Sequence, residues 1–193
     1  MLLETNLDTE LDSVRSEIRF MRELLGNFEG IDLLAREVHS RADLAKFLAF
    51  ARTRRFGTIH IVSHGLAQAR EWDIVLTHDE PVNLRRRENL ELFRDLKVGA
   101  LFLSCCWLGQ DRKMLRELRR ASGAEAVFGY TGVVTDYQAF LVEALYYHLA
   151  YGTKARIAYD EIAEILRFTV DYLQIDTGPD ALTDPLLVAE TVD

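Results

Sequence analysis

Thr58-Ile59-His60-Ile61-Val62 runs straight into Ser63-His64-Gly65, and Ala100-Leu101-Phe102-Leu103 runs straight into Ser104-Cys105-Cys106. Each opening run is short, apolar and continuous rather than alternating, the pattern of a strand buried on both faces. Ala124 to Phe128, closed by Gly129, reads as a third strand of the same kind. Strands of this type need helices on both sides, and the flanking sequence supplies them. Leu11, Val14, Ile18, Met21 and Leu25 recur at intervals of three and four, the stripe of an amphipathic helix, with Thr9 and Asp12 as a capping box and Gly26 as its stop. Ser40 with Asp43 opens a second helix that turns Leu44, Phe47, Leu48 and Ala51 inward. Further helices are expected over Asp111 to Arg120, stopped by Gly123, and over Thr135 to Tyr151, stopped by Gly152. A last helix is expected from Thr153 to Leu173, carrying Ile157, Ile162, Ile165 and Phe168, and Ile31 to Leu34 reads as one more strand.

This alternation predicts an α/β fold, a three-layer sandwich around a mainly parallel sheet. The 193 residues, 49% of them hydrophobic, are enough for one domain with a sizeable core. Residues 1–175 are read as that domain and 176–193, with Pro179, Pro185 and scattered acids, as a C-terminal tail or linker stub. With 31 acidic against 23 basic residues the net charge is −8, which argues against nucleic acid and anionic lipid as partners. The opening residues carry no basic targeting region, and the longest apolar run is too short to span a bilayer, so a cytoplasmic location is expected. Two cysteines can build neither a disulfide framework nor a cysteine-rich zinc site. Arg52, Arg54, Arg55 and Arg70 could recognise an acidic partner, although helix-end charge explains them as well.

In parallel sheets, chemistry gathers beyond the carboxyl ends of the strands. There this sequence puts a histidine followed by glycine on one strand and a cysteine pair on the other. An imidazole beside a thiol can take its proton and leave a nucleophilic thiolate. Gly65 leaves the backbone beside His64 open, so that its N–H, with that of the nucleophilic cysteine, could hold an oxyanion. The ordinary readings are a packed cysteine pair and a satisfied histidine. His60 in particular reads as a core histidine, and Asp136 as helix-start charge behind a Thr135 cap completed by Gln138.

The two motifs together, Ile59 to Gly65 and Leu101 to Gly109, resemble the CHAT domain family, relatives of caspases and separases. That family shows an apolar strand ending in His-Gly, then a strand ending in Leu-Ser-Ala-Cys with a glycine three residues beyond the cysteine. Here Cys105 takes the alanine position, Cys106 the nucleophile position, and Gly109 the trailing glycine. Trp72 to Leu76, Val127 to Tyr130 with Asp136, and Tyr146 to Gly152 extend the similarity over roughly residues 56 to 165.

The resemblance implies a caspase-like fold and a cysteine endopeptidase. His64 would take the proton of Cys106, backbone N–H groups of Gly65 and Cys106 would hold the oxyanion, and an acyl-enzyme would be hydrolysed. Ser104 falls where relatives shape the pocket for the residue preceding the cut. No metal or organic cofactor is implied, the partners expected are a protein or peptide substrate and a regulatory protein, and no membrane partner is expected. Cys105 remains the alternative nucleophile, because adjacent strand residues face opposite sides. Two rival readings are an inactive caspase-like scaffold and a flavodoxin-like or nucleotide-binding domain; the latter lacks a glycine-rich loop at Asn6-Leu7-Asp8-Thr9.

Overall fold

The computed structural model describes residues 1–5, 16–68, 71–75, 81–172 and 187–191. The chain opens with β1 (Leu2–Thr5), α1 (Glu17–Leu25), β2 (Ala35–Val38) and α2 (Arg41–Arg52). The first long apolar run forms β3 (Thr58–Val62), and a hairpin layer follows as β4 (His64–Gln68), β5 (Glu71–Val75) and β6 (Pro81–Asn83). After a single helical turn, α3 (Arg87–Leu90), come β7 (Ala100–Ser104), α4 (Arg112–Ser122) and β8 (Ala126–Tyr130). The chain continues through α5 (Asp136–Tyr147) and α6 (Tyr159–Tyr172) to β9 (Leu187–Thr191).

Six strands make one sheet in the order β2-β1-β3-β7-β8-β9, parallel except for β9. All five residues of β3, β7 and β8 are buried, as their uninterrupted apolar character requires. The two sheet faces divide the core. Ile59, Ile61, Leu101, Leu103 and Val127 pack with Leu44 and Leu48 of α2 and Leu115 and Leu118 of α4. Val62, Phe102 and Phe128 point the other way, into Ile18 and Met21 of α1, Tyr146 of α5 and Ile162 and Leu166 of α6. The result is the expected α/β three-layer sandwich with a mainly parallel sheet.

Several elements depart from the sequence pattern. The N-terminal helix begins at the Ser16 cap, whose hydroxyl accepts from Arg19 N–H, so it is shorter than the stripe from Leu11 predicts; Thr9 and Asp12 lie outside the described residues. The strand expected over Ile31–Leu34 falls at Ala35–Val38, where pairing with β1 in parallel register buries Ala35 and Val38. Gly129 sits within β8 instead of closing it. The helix from Thr135 ends its regular turns at Tyr147 and widens to a π turn over His148–Gly152. The last helix starts at Tyr159, later than Thr153, and Phe168 on it is 72% exposed. Residues 187–191 belong to the segment expected as a tail, yet they form β9, antiparallel to β8 with Val188 buried. Among the described residues no helix is long and apolar enough to cross a membrane.

Candidate active site

Parallel pairing of β3 with β7 sets Val62 opposite Ser104. The two strands therefore end side by side, and Ser63 N–H donates to the Ser104 carbonyl at 3.1 Å just beyond them. His64 starts β4 directly after β3 and is solvent-exposed. Cys106 follows β7 and is half-buried. Both line one open cleft of about 530 Å³, together with Ser63, Ser104, Glu17 and the stretch from Val133 to Tyr137 ahead of and into α5.

Just past the end of β7 the chain turns the two cysteines to different surroundings. Cys105 is 1% exposed, in the core beneath α2 and α4, with its thiol directed at the Ile61 carbonyl at 3.8 Å. Burial pushes the Cys105 thiol well above its ordinary range, and the neighbouring Cys106, Glu17 and Glu143 add to that. Cys106 faces the cleft. The Val134 N–H donates to its sulfur at 3.5 Å, and the thiol lies 3.8 Å from the Val134 carbonyl as acceptor. Of the pair, Cys106 is the one that lines the cleft.

The turn after Cys106 is tightly specified. Leu108 N–H donates to the Cys106 carbonyl at 2.9 Å, and Trp107, at φ 68°, occupies the left-handed region, which is costly for a bulky residue. Its N–H donates to the Gly132 carbonyl at 3.2 Å, tying this turn to the loop that carries Val134. Gly109 then lies against Gly129 of β8, backbone on backbone. Gly65 is the second residue of β4, in register with Ile74 of β5. Ser104 is 6% exposed on the cleft wall.

Asp136 and Thr135 play the capping roles their sequence suggests, with Thr135 and Gln138 forming a reciprocal box. They also line the cleft, which sequence spacing does not reveal, because α5 reaches the strand ends only through the fold. Val134 was invisible for the same reason: its contribution is backbone. Arg52, considered for an acidic partner, directs its guanidinium to the carbonyls of Glu91, Leu92 and Arg94; Arg70 lies outside the described residues.

Beneath the cleft, His60 is fully buried. Its Nδ1 lies 3.0 Å from the Tyr147 hydroxyl, and its Nε2 faces Glu17 and Glu143. The Tyr130 hydroxyl donates to Glu143 Oε1 at 3.3 Å. Burial would raise the Glu143 carboxyl, but the imidazole of His60 and hydrogen bonds from neighbouring side chains outweigh it and hold it below the ordinary carboxylate range. His60 is the core histidine expected, in an acidic surrounding that no local pattern announces. A scan against protein-family models finds no match to this chain, and a search of curated proteins finds no relative of it.

Proposed function

We propose that this protein is a caspase-like cysteine endopeptidase that cuts protein substrates through a Cys106–His64 dyad. The carrying observation is that His64 and Cys106 flank one cleft at adjacent strand ends while Cys105 is packed in the core. The sequence resemblance of both motifs to the CHAT family supports the same reading.

In the resting arrangement the Cys106 thiol is engaged with Val134. On substrate entry His64 accepts the thiol proton, and the sulfur attacks the peptide carbonyl carbon to form a tetrahedral adduct. The adduct's oxyanion is held by the backbone N–H groups of Gly65 and Cys106. His64 returns the proton to the leaving amine, the C–N bond breaks, and water then hydrolyses the thioester. Burial keeps Cys105 protonated and out of contact with substrate, and Ser104 and the α5 start form the walls against which the peptide is positioned.

Labelling with a peptidyl electrophile tests this assignment. The parent and Cys105→Ala incorporate the label, whereas Cys106→Ala does not and His64→Ala slows it by about 100-fold, within the range for removing a general base. Labelling retained in Cys106→Ala and lost in a folded Cys105→Ala overturns the nucleophile. An unlabelled parent that cuts nothing in a proteome digest but still captures a protein partner favours the scaffold reading.

A further inference from the structure

Three ionisable side chains outside the proposed reaction converge in the core from distant parts of the chain. Glu17 opens α1, His60 lies at the middle of β3, and Glu143 lies within α5. All three are buried, with His60 and Glu143 fully so. His60 Nε2 lies 3.3 Å from Glu17 Oε1 and 3.6 Å from Glu143 Oε1, and one ligand atom from each residue lies within 4.8 Å of the others. We propose that Glu17, His60 and Glu143 form a binding site for one divalent transition-metal ion, with zinc as the best-matched ion.

The ligand spacing carries much of the argument. Nitrogen and oxygen ligands about 2.0–2.2 Å from a tetrahedral ion lie roughly 3.3–3.6 Å from one another. The two imidazole–carboxylate separations already have these values, and all three ligand atoms lie within 4.8 Å of one another. Orientation agrees. In the tautomer that donates Nδ1–H to the Tyr147 oxygen 3.0 Å away, His60 presents the Nε2 lone pair to the carboxylates, as an outer partner does for a ligating histidine. Tyr130 donates to Glu143 Oε1, the same oxygen that faces His60, and so orients that carboxylate. His60 Nε2 and Glu143 Oε2 are both out of solvent without a hydrogen bond of good geometry among the described residues, and Nε2 has the two carboxylates at ion-pair distance. A buried polar atom in that position is costly unless something else satisfies it.

Charge balance points the same way. Two buried carboxylates beside one imidazolium retain a net negative charge, whereas two carboxylates, a neutral imidazole and a divalent ion sum to zero. The ligand set of one nitrogen and carboxylate oxygens suits a borderline ion, and Glu17 is also among the residues lining the cleft. Bound there, the ion ties α1 and α5 to β3 beneath the Cys106 side of the cleft.

The test uses the full chain carrying Cys106→Ala, so that zinc cannot be captured by the cleft thiol and His64. After chelator treatment and reloading with zinc, one ion per chain is expected by mass spectrometry of the desalted protein. Competition with a chromophoric chelator gives the affinity. Loss of an outer-shell partner alone costs 10–100-fold, so Glu17→Gln and Glu143→Gln each weaken zinc by about 100-fold or more. X-ray absorption of the zinc-loaded Cys106→Ala protein reads the ligands without altering them, should a glutamine variant fail to fold. One imidazole with oxygen ligands supports the site. No retained zinc, an unchanged affinity in folded variants, sulfur scattering or a second imidazole overturns it.

Discussion

Tyr147 meets His60 through a single hydrogen bond of 3.0 Å, hydroxyl to Nδ1, with neither side chain in contact with bulk solvent. Tyr147→Phe keeps the ring and its edge-on packing against Tyr146 but deletes the oxygen. The imidazole then has a buried polar atom with no partner, so the variant loses about 1–3 kcal/mol of stability, read as a lower urea midpoint with an unchanged slope. A midpoint equal to the parent's would mean that the hydroxyl contributes nothing to holding His60. Residue-scale chemistry of this kind is the least legible in sequence. His60 could be placed in the core from the run Thr58–Val62, but its neighbours Glu17, Glu143 and Tyr147 come from two other helices. Cys106 and His64 stand out in the sequence because each follows an apolar run that forms a buried strand, β7 and β3, whereas the separation of buried Cys105 from half-buried Cys106 is set by the turn after β7.

Gly109 and Gly129 show how the elements constrain the site. A Cβ on Gly109 would fall 2.5 Å from the Gly129 carbonyl oxygen and 2.8 Å from the backbone carbons of Gly129 and Tyr130. No side chain can rotate away to relieve that, so Gly109→Ala displaces the turn after Cys106 from β8. It costs about 2–3 kcal/mol, as overpacking does, and slows electrophile labelling along with the loss in thermal midpoint. An alanine variant with parental midpoint and labelling rate would refute the close approach. At the other end of the cleft, α1 is capped by a carboxylate from β1: Glu4 accepts from the Glu17 and Ile18 N–H groups and from the Ser16 hydroxyl. Burial outweighs these bonds and raises the Glu4 carboxyl above its ordinary value of 4.5. A carboxyl raised in the folded state binds protons more tightly there than when unfolded. Its contribution is therefore complete below 4.5 and is lost as pH rises through the raised value. Glu4→Gln should flatten that decline in urea unfolding measured across the interval, and an undiminished slope would assign it to another group. The strands β3, β7 and β8 and the capped helices α2 and α4 follow from runs and caps in the sequence. By contrast, β2 and β9 are defined by pairing partners that lie elsewhere in the chain and leave no periodic signal, while β4, β5 and β6 pair with one another in a small sheet of their own.

Charge is the property of the whole molecule that bears most directly on what enters the cleft. The chain carries a net charge of −8, and the cleft adds Glu17 and Asp136 to its own lining, with no lysine or arginine among the described residues there. A concave site of one sign concentrates ligands of the other and raises their encounter rate by about tenfold or more at low ionic strength. Screening shortens the reach of that field to roughly 10 Å at 0.1 M salt and about 3 Å at 1 M. Peptidyl electrophiles of equal length and reactivity, one flanked by lysine and arginine and one by aspartate and glutamate, separate this steering from the chemistry of the sulfur. The cationic peptide should label Cys106 about tenfold faster at low salt, with the gap closing as salt is added, because the covalent step is the same in both. Asp136→Asn should narrow the gap at low salt while leaving rates at high salt close to the parent's. If the acidic peptide labels faster at every salt concentration, the surface field does not select what enters the cleft, and contacts inside it do.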